Sequence, residues 1–465
     1  MALSTNHSTN GNNTLHHLSL CFMTINAFLN VCGYTVILLL YRHSIQTIFN
    51  RKVPTLRRDI DGFILPEPHP ALKSFNTHLS LLRPLQILFR FATAPFRVLP
   101  DAIVLGETRC GTTNLCGHLL SVAEESSTIY RDDRKIHRIK CYTPFCPWAV
   151  PELDHKESFY FVGHYLGVVD PFFYRMAFPL KITRWWEERV LGNIFFCFDG
   201  CAQYLTSPSV PYLIAMAYKN ESGTNKCTPP PSLVACVRDP VDQAVSWWTY
   251  EQNACSWGES MNLNEWNKCL RSNDYPPKSI GDALKFSQST FVRTAYADAE
   301  NLAKTLTTQQ TNNLSLRLMK LPNWAITWPG GQLSTIGRSG KYIENIERYN
   351  TVFNSMMDQK VQVHTVPIEN QSRGVLLKAA LRPIIDVCMT RSAYRTGEPA
   401  ENLMASIDNV LDIVYNETNF KMSRRNSGRS LSNVELEPSS SDIDELVKYF
   451  EPYPIRCLIE AEKLK

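Results

Sequence analysis

Arg109, Thr112, Thr113 and Asn114 crowd around two glycines, Gly106 and Gly111, with Cys110 between them, and that grouping is equipment for holding an anion. The arginine brings a cation and the threonines bring hydroxyl donors. The glycines let backbone N–H groups come close to a ligand. Just upstream, Ile103, Val104 and Leu105 form a short apolar run that reads as a buried strand, and a helical pattern starts near Thr113. Strand, glycine loop and helix start together make a phosphate cradle, because the helix turns the positive end of its dipole toward the loop. The spacing Gly-x-x-x-x-Gly matches the ATP-binding P-loop, but that loop continues with Lys-Ser or Lys-Thr. Here Thr112 and Thr113 follow the second glycine. The missing lysine argues against ATP or GTP hydrolysis and leaves the cradle intact. The same Gly-Thr-Thr also reads as a plain helix N-cap after a buried strand.

A second strand-to-helix junction lies over a hundred residues further on. Leu233 to Val237 is a compact apolar strand, Arg238-Asp239-Pro240 ends it, and Val241, Val245 and Trp248 recur at helical spacing. Ser246 stands eight residues after Arg238. An arginine can fork onto phosphate oxygens while a serine donates from the first turns of the following helix. The bland alternative is an Arg-Asp ion pair at a helix cap. A third segment, residues 156–179, supplies candidate bases. Glu157 sits three residues before the aromatic pair Tyr160 and Phe161, and His164 carries a ring that titrates near neutrality when unperturbed. A carboxylate beside aromatic rings suits a general base, and Lys156-Glu157 also reads as a surface ion pair ahead of a buried aromatic stretch.

The run Arg109-Cys110-Gly111-Thr112-Thr113 resembles the 5′-phosphosulfate loop of sulfotransferases that use 3′-phosphoadenosine 5′-phosphosulfate (PAPS), whose pattern is Lys/Arg-x-Gly-Thr-Thr. The Arg238–Ser246 unit is similar to the strand and helix that hold the 3′-phosphate in that family. Lys156, Glu157, Tyr160 and Phe161, with Tyr174, Phe178 and Pro179, resemble a segment of the carbohydrate branch that handles glycosaminoglycans. The resemblance implies that Glu157 takes the proton from the acceptor hydroxyl and that Arg109 stabilises charge on the leaving group. It implies that Arg109, Cys110, Gly111, Thr112, Thr113 and Asn114 cradle one end of the nucleotide, and Arg238 and Ser246 the other. The run Gly337-Arg338-Ser339-Gly340-Lys341-Tyr342 is similar to the family's late nucleotide-closing loop, which adds Arg338, Gly340 and Lys341 as cofactor-binding residues. It also reads as a solvated turn. Asp199-Gly200 resembles the family's Glu-Lys pair with the lysine replaced, and Phe159 stands where many relatives carry a polar residue. The co-substrate implied is PAPS, with no metal required, and the acceptor is a carbohydrate. Tyr165, Trp185 and Trp186 are candidates for stacking on sugar rings, or core residues.

These residues need a scaffold, and the chain has enough material for one. It holds 465 residues, 44% hydrophobic and 11% aromatic, ample for a large core. The expected fold is α/β, a P-loop-like open parallel sheet flanked by helices (the sulfotransferase fold), behind an N-terminal transmembrane helix. The expected organisation is a short tail at 1–17, a transmembrane signal anchor at 18–41, a stem at 42–97 and a sulfotransferase domain at 98–465. Residues 421–441 read as a disordered insert, and 255–290 as an insertion near the cleft mouth. The net charge of +4, from 48 basic and 44 acidic residues, does not point to nucleic acid. No Cys-x-x-Cys pair occurs among the 14 cysteines, which argues against a zinc site. Cys141 with Cys146, or Cys255 with Cys269, could close small disulfide loops.

Residues 18–41 are nearly free of charge and long enough to span a bilayer, or to be a cleaved signal peptide. Arg42, Arg51, Lys52, Arg57 and Arg58 follow them, which by the positive-inside rule keeps the following side in the cytosol. Sequons at Asn6, Asn12, Asn220, Asn313, Asn370 and Asn416, and the resemblance itself, favour a single-pass type II protein with its catalytic domain in the Golgi lumen. Two rival readings stand beside the sulfotransferase. One is a nucleotide kinase-like P-loop protein. The other is an inactive membrane-anchored relative that binds glycan or nucleotide, which the departures at Gly200 and Phe159 leave open.

Overall fold

Three near-continuous apolar runs form the centre of the architecture. Ala102–Gly106 (β1), Ile194–Asp199 (β3) and Ser232–Val237 (β4) are buried along their whole length, as strands covered on both faces by helices must be. Ile139–Tyr142 (β2) and Val363–Pro367 (β5) are partly exposed and lie at the two edges. Pro367, which has no N–H to give a ladder, ends such an edge strand. All pairings are parallel, in the order β2-β3-β1-β4-β5. The protein is therefore α/β, with a five-stranded parallel sheet flanked by helices.

The structure, a computed structural model, describes residues 57–58, 64–65, 87–132, 137–144, 157–158, 160–161, 171–222, 230–249, 279–308, 336–357, 360–368, parts of 378–414, and 438–453. The chain divides into two units, Met1–Pro95 and Phe96–Lys465. In the first, Arg57–Arg58 pairs antiparallel with Ile64–Leu65. The second holds the sheet. Among the described residues no helix is long and apolar enough to cross a membrane. The stretch 18–41 lies outside them, as do 421–437, His164, Tyr165 and Phe159.

Helix Thr112–Asp132 (α1) leaves the end of β1. Val210–Ser222 (α2) follows β3, and 240–249 (α3) follows β4. Ile280–Ser287 (α4), Thr290–Thr308 (α5), Tyr342–Met356 (α6), Ala400–Val414 (α7) and Ser440–Phe450 (α8) come later. Beside the sheet, α3, α4, the helical turn Ile336–Ser339 and α8 share a second apolar cluster of Trp247, Trp248, Ile280, Leu284, Ile336, Leu446 and Phe450. That cluster corrects the reading of 255–290 as an insertion throughout: Ile280, Ala283 and Leu284 are buried in it. Its role is to hold the end of β4 and the 336–341 turn against each other.

The opposite, N-terminal edge of the sheet is pinned by Asp101. Its carboxylate accepts from Cys197 N–H at 3.0 Å and pairs with Arg184 at 2.7 Å. The Arg184 guanidinium also lies 4.4 Å from the centre of the Phe195 ring. The short helical segment carrying Arg184, Lys181–Trp185 with Trp186–Val190, therefore belongs to that edge. Cys110, Cys116, Cys197, Cys201 and Cys236 are buried, and Cys146, Cys255 and Cys269 lie outside the described residues. Asn220 lies inside helix α2 rather than in a loop.

Candidate functional site

The loop after β1 is built by backbone geometry that few residues tolerate. Gly106 has φ +119°, and a Cβ placed there would lie 2.2 Å from the Ala202 carbonyl oxygen, so only glycine fits. Arg109 and Gly111 then take φ +65° and +78° on either side of Cys110. Left-handed residues at that spacing curl a backbone into the concave form that binds anions. The curl is fastened from within. Cys110 N–H donates to the Glu107 carbonyl at 3.1 Å, and the Thr112 hydroxyl donates to the same oxygen at 3.0 Å. Thr112 is thus a buried staple of the loop. Thr113 and Asn114, half-buried, begin α1. Cys110 is wholly buried, with its sulfur 3.2 Å from the Tyr342 hydroxyl, and burial pushes its thiol well up.

The second motif meets the first. Asp239 caps α3 by accepting from the N–H groups of Val241 and Asp242, at 2.9 and 3.1 Å, and Pro240 fills the first helical position. The cap leaves Arg238 half-buried, its nearest carboxylate oxygen among the described residues that of Asp242 at 4.0 Å. Inside α3, buried Gln243 donates to the Thr108 carbonyl at 2.9 Å and accepts from the Ser339 hydroxyl at 3.0 Å. That one amide ties the loop, the α3 helix and the 336–341 turn together. One turn further, Ser246 Oγ accepts from Arg109 Nε at 3.2 Å. Two residues separated by 137 positions are in direct contact.

The late turn is placed differently by its three expected contributors. Gly340 is a packing residue: a Cβ there would come within 2.6 Å of both Pro240 and the Phe450 ring. Arg338 stacks over the Tyr296 ring at 4.1 Å, with its own carbonyl held by Asn345. Lys341 donates to the Tyr453 hydroxyl at 2.7 Å and lies over the rings of Tyr453 and Tyr449. Its ammonium is engaged by the C-terminal tyrosines.

Glu157 reaches the loop through a single residue. Its Oε1 accepts from Ala202 N–H at 3.3 Å, while the Ala202 carbonyl accepts from the Thr108 hydroxyl at 3.3 Å. The next residue, Ser158, is anchored to buried Asp199 at the end of β3. Ser158 N–H donates to Asp199 Oδ1 at 3.0 Å, and its hydroxyl donates to Oδ2 at 2.7 Å. The Tyr174 and Tyr204 hydroxyls donate to the same Oδ2 at 2.7 and 3.2 Å. Burial raises the Asp199 carboxyl and the four hydrogen bonds oppose it, with burial the larger effect. Gly200 is buried.

Sequence reasoning missed Glu107, although it lies within the loop motif. Its side chain is fully buried, accepts from Thr108 N–H at 2.9 Å and from the Thr206 hydroxyl, and burial pushes its carboxyl up to about 8. Nothing in the order of residues distinguishes this carboxyl from an exposed loop glutamate. The Trp185 and Trp186 side chains are half exposed, at 50% and 51%, but lie on the segment at the N-terminal edge. The loop sits at the other end of a five-residue strand about 17 Å long, so these tryptophans do not line this site. Among the described residues no group of three or more His, Cys, Asp or Glu is arranged to hold a metal ion.

The assembled loop and the N-terminus of α1 lie at the carboxyl ends of central strands, at the point where the strand order reverses direction, which is where open α/β sheets bind ligands. Two cations, Arg109 and Arg238, flank it, and a carboxylate stands one residue away. No protein-family model matches the chain, and neither a curated protein nor a solved structure is significantly similar to it.

Proposed function

We propose that the protein transfers a sulfuryl group from PAPS to a hydroxyl of a carbohydrate acceptor, on a sulfotransferase-type version of this α/β sheet. The observation that carries the reading is the contact between Arg109 and Ser246. It joins the loop suited to a phosphosulfate with the helix suited to a 3′-phosphate, so that one nucleotide can be held at both charged ends. The curl at 109–111 and the N-terminus of α1 receive the phosphosulfate. Arg238, whose fork is not taken up by the capping Asp239, faces the 3′-phosphate together with Ser246. Arg338, from the turn tied to the loop through Gln243, adds a further cation. Gly340 supports the turn by packing, and Lys341 braces it against the C-terminal tyrosines.

In this reading Glu157 accepts the proton of the acceptor hydroxyl as its oxygen bonds to sulfur. The bond from sulfur to the bridging phosphate oxygen breaks, and 3′-phosphoadenosine 5′-phosphate leaves. Negative charge grows on that bridging oxygen, where Arg109 and the loop amides stabilise it. With Gly200 in place of a lysine, this charge stabilisation falls on Arg109. The N-terminal stretch 18–41 serves as a single-pass anchor, and the domain works in the Golgi lumen, where glycan acceptors are made.

The test is transfer of radiolabelled sulfate from PAPS to a panel of glycans by the purified full chain. Labelling by the wild type, lost in Glu157→Ala and Arg109→Ala, is the expected result. Labelling that persists in both variants removes the assigned roles. Tight binding of 3′-phosphoadenosine 5′-phosphate without turnover favours the inactive, ligand-binding relative. Magnesium-dependent ATP binding favours the kinase-like alternative.

A further inference from the structure

We infer that Asp199 is the positioning residue for Glu157: its buried carboxylate fixes the 157–161 segment onto the end of β3 and thereby holds the base against the anion loop. The inference rests on the sulfuryl-transfer reading for what Glu157 does, but not for where Asp199 holds it.

The arrangement is more specific than a buried polar cluster. The two Asp199 oxygens accept four hydrogen bonds, and two of these come from Ser158, the residue bonded covalently to Glu157. A backbone N–H and a hydroxyl gripped by the two oxygens of one carboxylate leave the Ser158 backbone little freedom to rotate. The Ser158 hydroxyl also accepts from Tyr160 N–H at 3.3 Å and lies 2.9 Å from the Tyr204 hydroxyl. The turn after Glu157 is therefore closed by side chains. Tyr160, Phe161 and Tyr174 pack around this network with ring centres 4.5–5.6 Å apart. Tyr204 in turn is held at its carbonyl by the Tyr349 hydroxyl at 2.7 Å.

On the other side, Asp199 and Ala202 belong to one short stretch. Asp199 grips Ser158, while Ala202 grips Glu157 with its N–H and the loop residue Thr108 with its carbonyl. Two successive residues of one segment are thus held by two residues three apart on the other. Base and cradle are set at a fixed separation. Burial in a low-dielectric interior makes such a network costly to leave partly satisfied, so removing the acceptor should loosen the whole turn. Displacing a catalytic group by about 1 Å can cost on the order of 100-fold in rate.

Two readouts on the full chain test the inference. The first needs no turnover. The Ser158 and Tyr160 amides donate to side-chain oxygens of the network, so hydrogen exchange over 157–161 reports on it directly. Exchange there should speed up at least about tenfold in Asp199→Asn and in the milder Ser158→Ala, with loop 106–112 unchanged. Wild-type exchange over 157–161 in both variants overturns the inference. The second is sulfate transfer from PAPS to whichever glycan of the panel the wild type labels. In Asp199→Asn, kcat should fall about 10- to 100-fold with KM for PAPS within about threefold. Ser158→Ala and Tyr174→Phe should fall less. In a Glu157→Gln background the Asp199→Asn loss should vanish, because a residue that acts only through Glu157 has nothing left to position. An equal further loss in that background overturns the role. A wild type that transfers nothing to any acceptor defeats the sulfuryl-transfer reading alone, and the exchange result still decides whether Asp199 positions the segment.

Discussion

At the scale of single residues, two side chains decide the behaviour of the anion loop. Arg109 stands in the left-handed region with its guanidinium on Ser246, so its loss removes the link to the second motif and, in the proposed transfer, the charge that faces the leaving oxygen. Arg109→Ala should lower turnover on the order of 100-fold, the usual cost of one stabilising donor. Ser246→Ala should chiefly weaken binding of 3′-phosphoadenosine 5′-phosphate, read by titration calorimetry. Glu107 governs stability instead. Its carboxyl ionises near an ordinary 4.5 in the unfolded chain and near 8 when folded, because burial disfavours the charge. Below about pH 4.5 the group is protonated in both states. As pH rises toward 8 the unfolded chain releases the proton first, and the folded protein loses stability over that window. Glu107→Gln should remove this dependence. Its melting temperature relative to wild type should rise between pH 5 and pH 8, and a constant difference across that range would show that Glu107 does not titrate there.

At the scale of elements, the site depends on close approach between segments distant in sequence. Gly106 meets the Ala202 carbonyl, and Gly340 is wedged between Pro240 and Phe450. A methyl group at Gly106 would require backbone movement, and one at Gly340 would displace the Pro240 ring or the Phe450 ring. Gly106→Ala should destabilise the domain by at least about 2 kcal/mol, measured by denaturant unfolding, and should distort the path of Ala202 between loop and base. The apolar cluster under α3 is the second support. Trp247 is buried at its centre. Trp247→Ala should cost about 3–5 kcal/mol and, because α3 carries Ser246 and Gln243, should weaken nucleotide binding along with stability. A melting temperature reduced without any change in binding would separate the cluster from the site.

At the scale of the whole molecule, the sheet separates two poles. The cradle and Glu157 lie at the carboxyl ends of β1, β3 and β4. Asp101, Arg184 and the exposed Trp185–Trp186 pair lie at the amino ends. Replacing both tryptophans with serine should leave KM for the glycan acceptor unchanged within about twofold. A large rise in that KM would mean that the acceptor path extends across the sheet.

The strands β1 and β4 and the two loop motifs that follow them were legible in the order of residues for a simple reason, whereas β2 and β3 emerged only in the fold. Ile103-Val104-Leu105 and Leu233–Val237 are too short for core helices and too apolar for anything but buried strands, and Gly111 and Pro240 mark the turns that follow. Local chemistry of that kind is written in neighbouring positions. The contacts that turn two motifs into one site are not, since Gln243 with Thr108 and Ser339, Lys341 with Tyr453, and Asp199 with Ser158 join segments 41 to 135 residues apart. A carboxylate reads the same on paper whether it is solvated or sealed, and only packing made Glu107 an interior acid with its carboxyl pushed up by burial and Asp199 a four-bond anchor. The sequence determined which residues could hold an anion and move a proton. The tertiary structure decided which of them meet, because burial and hydrogen-bond geometry come into being only when the chain is closed.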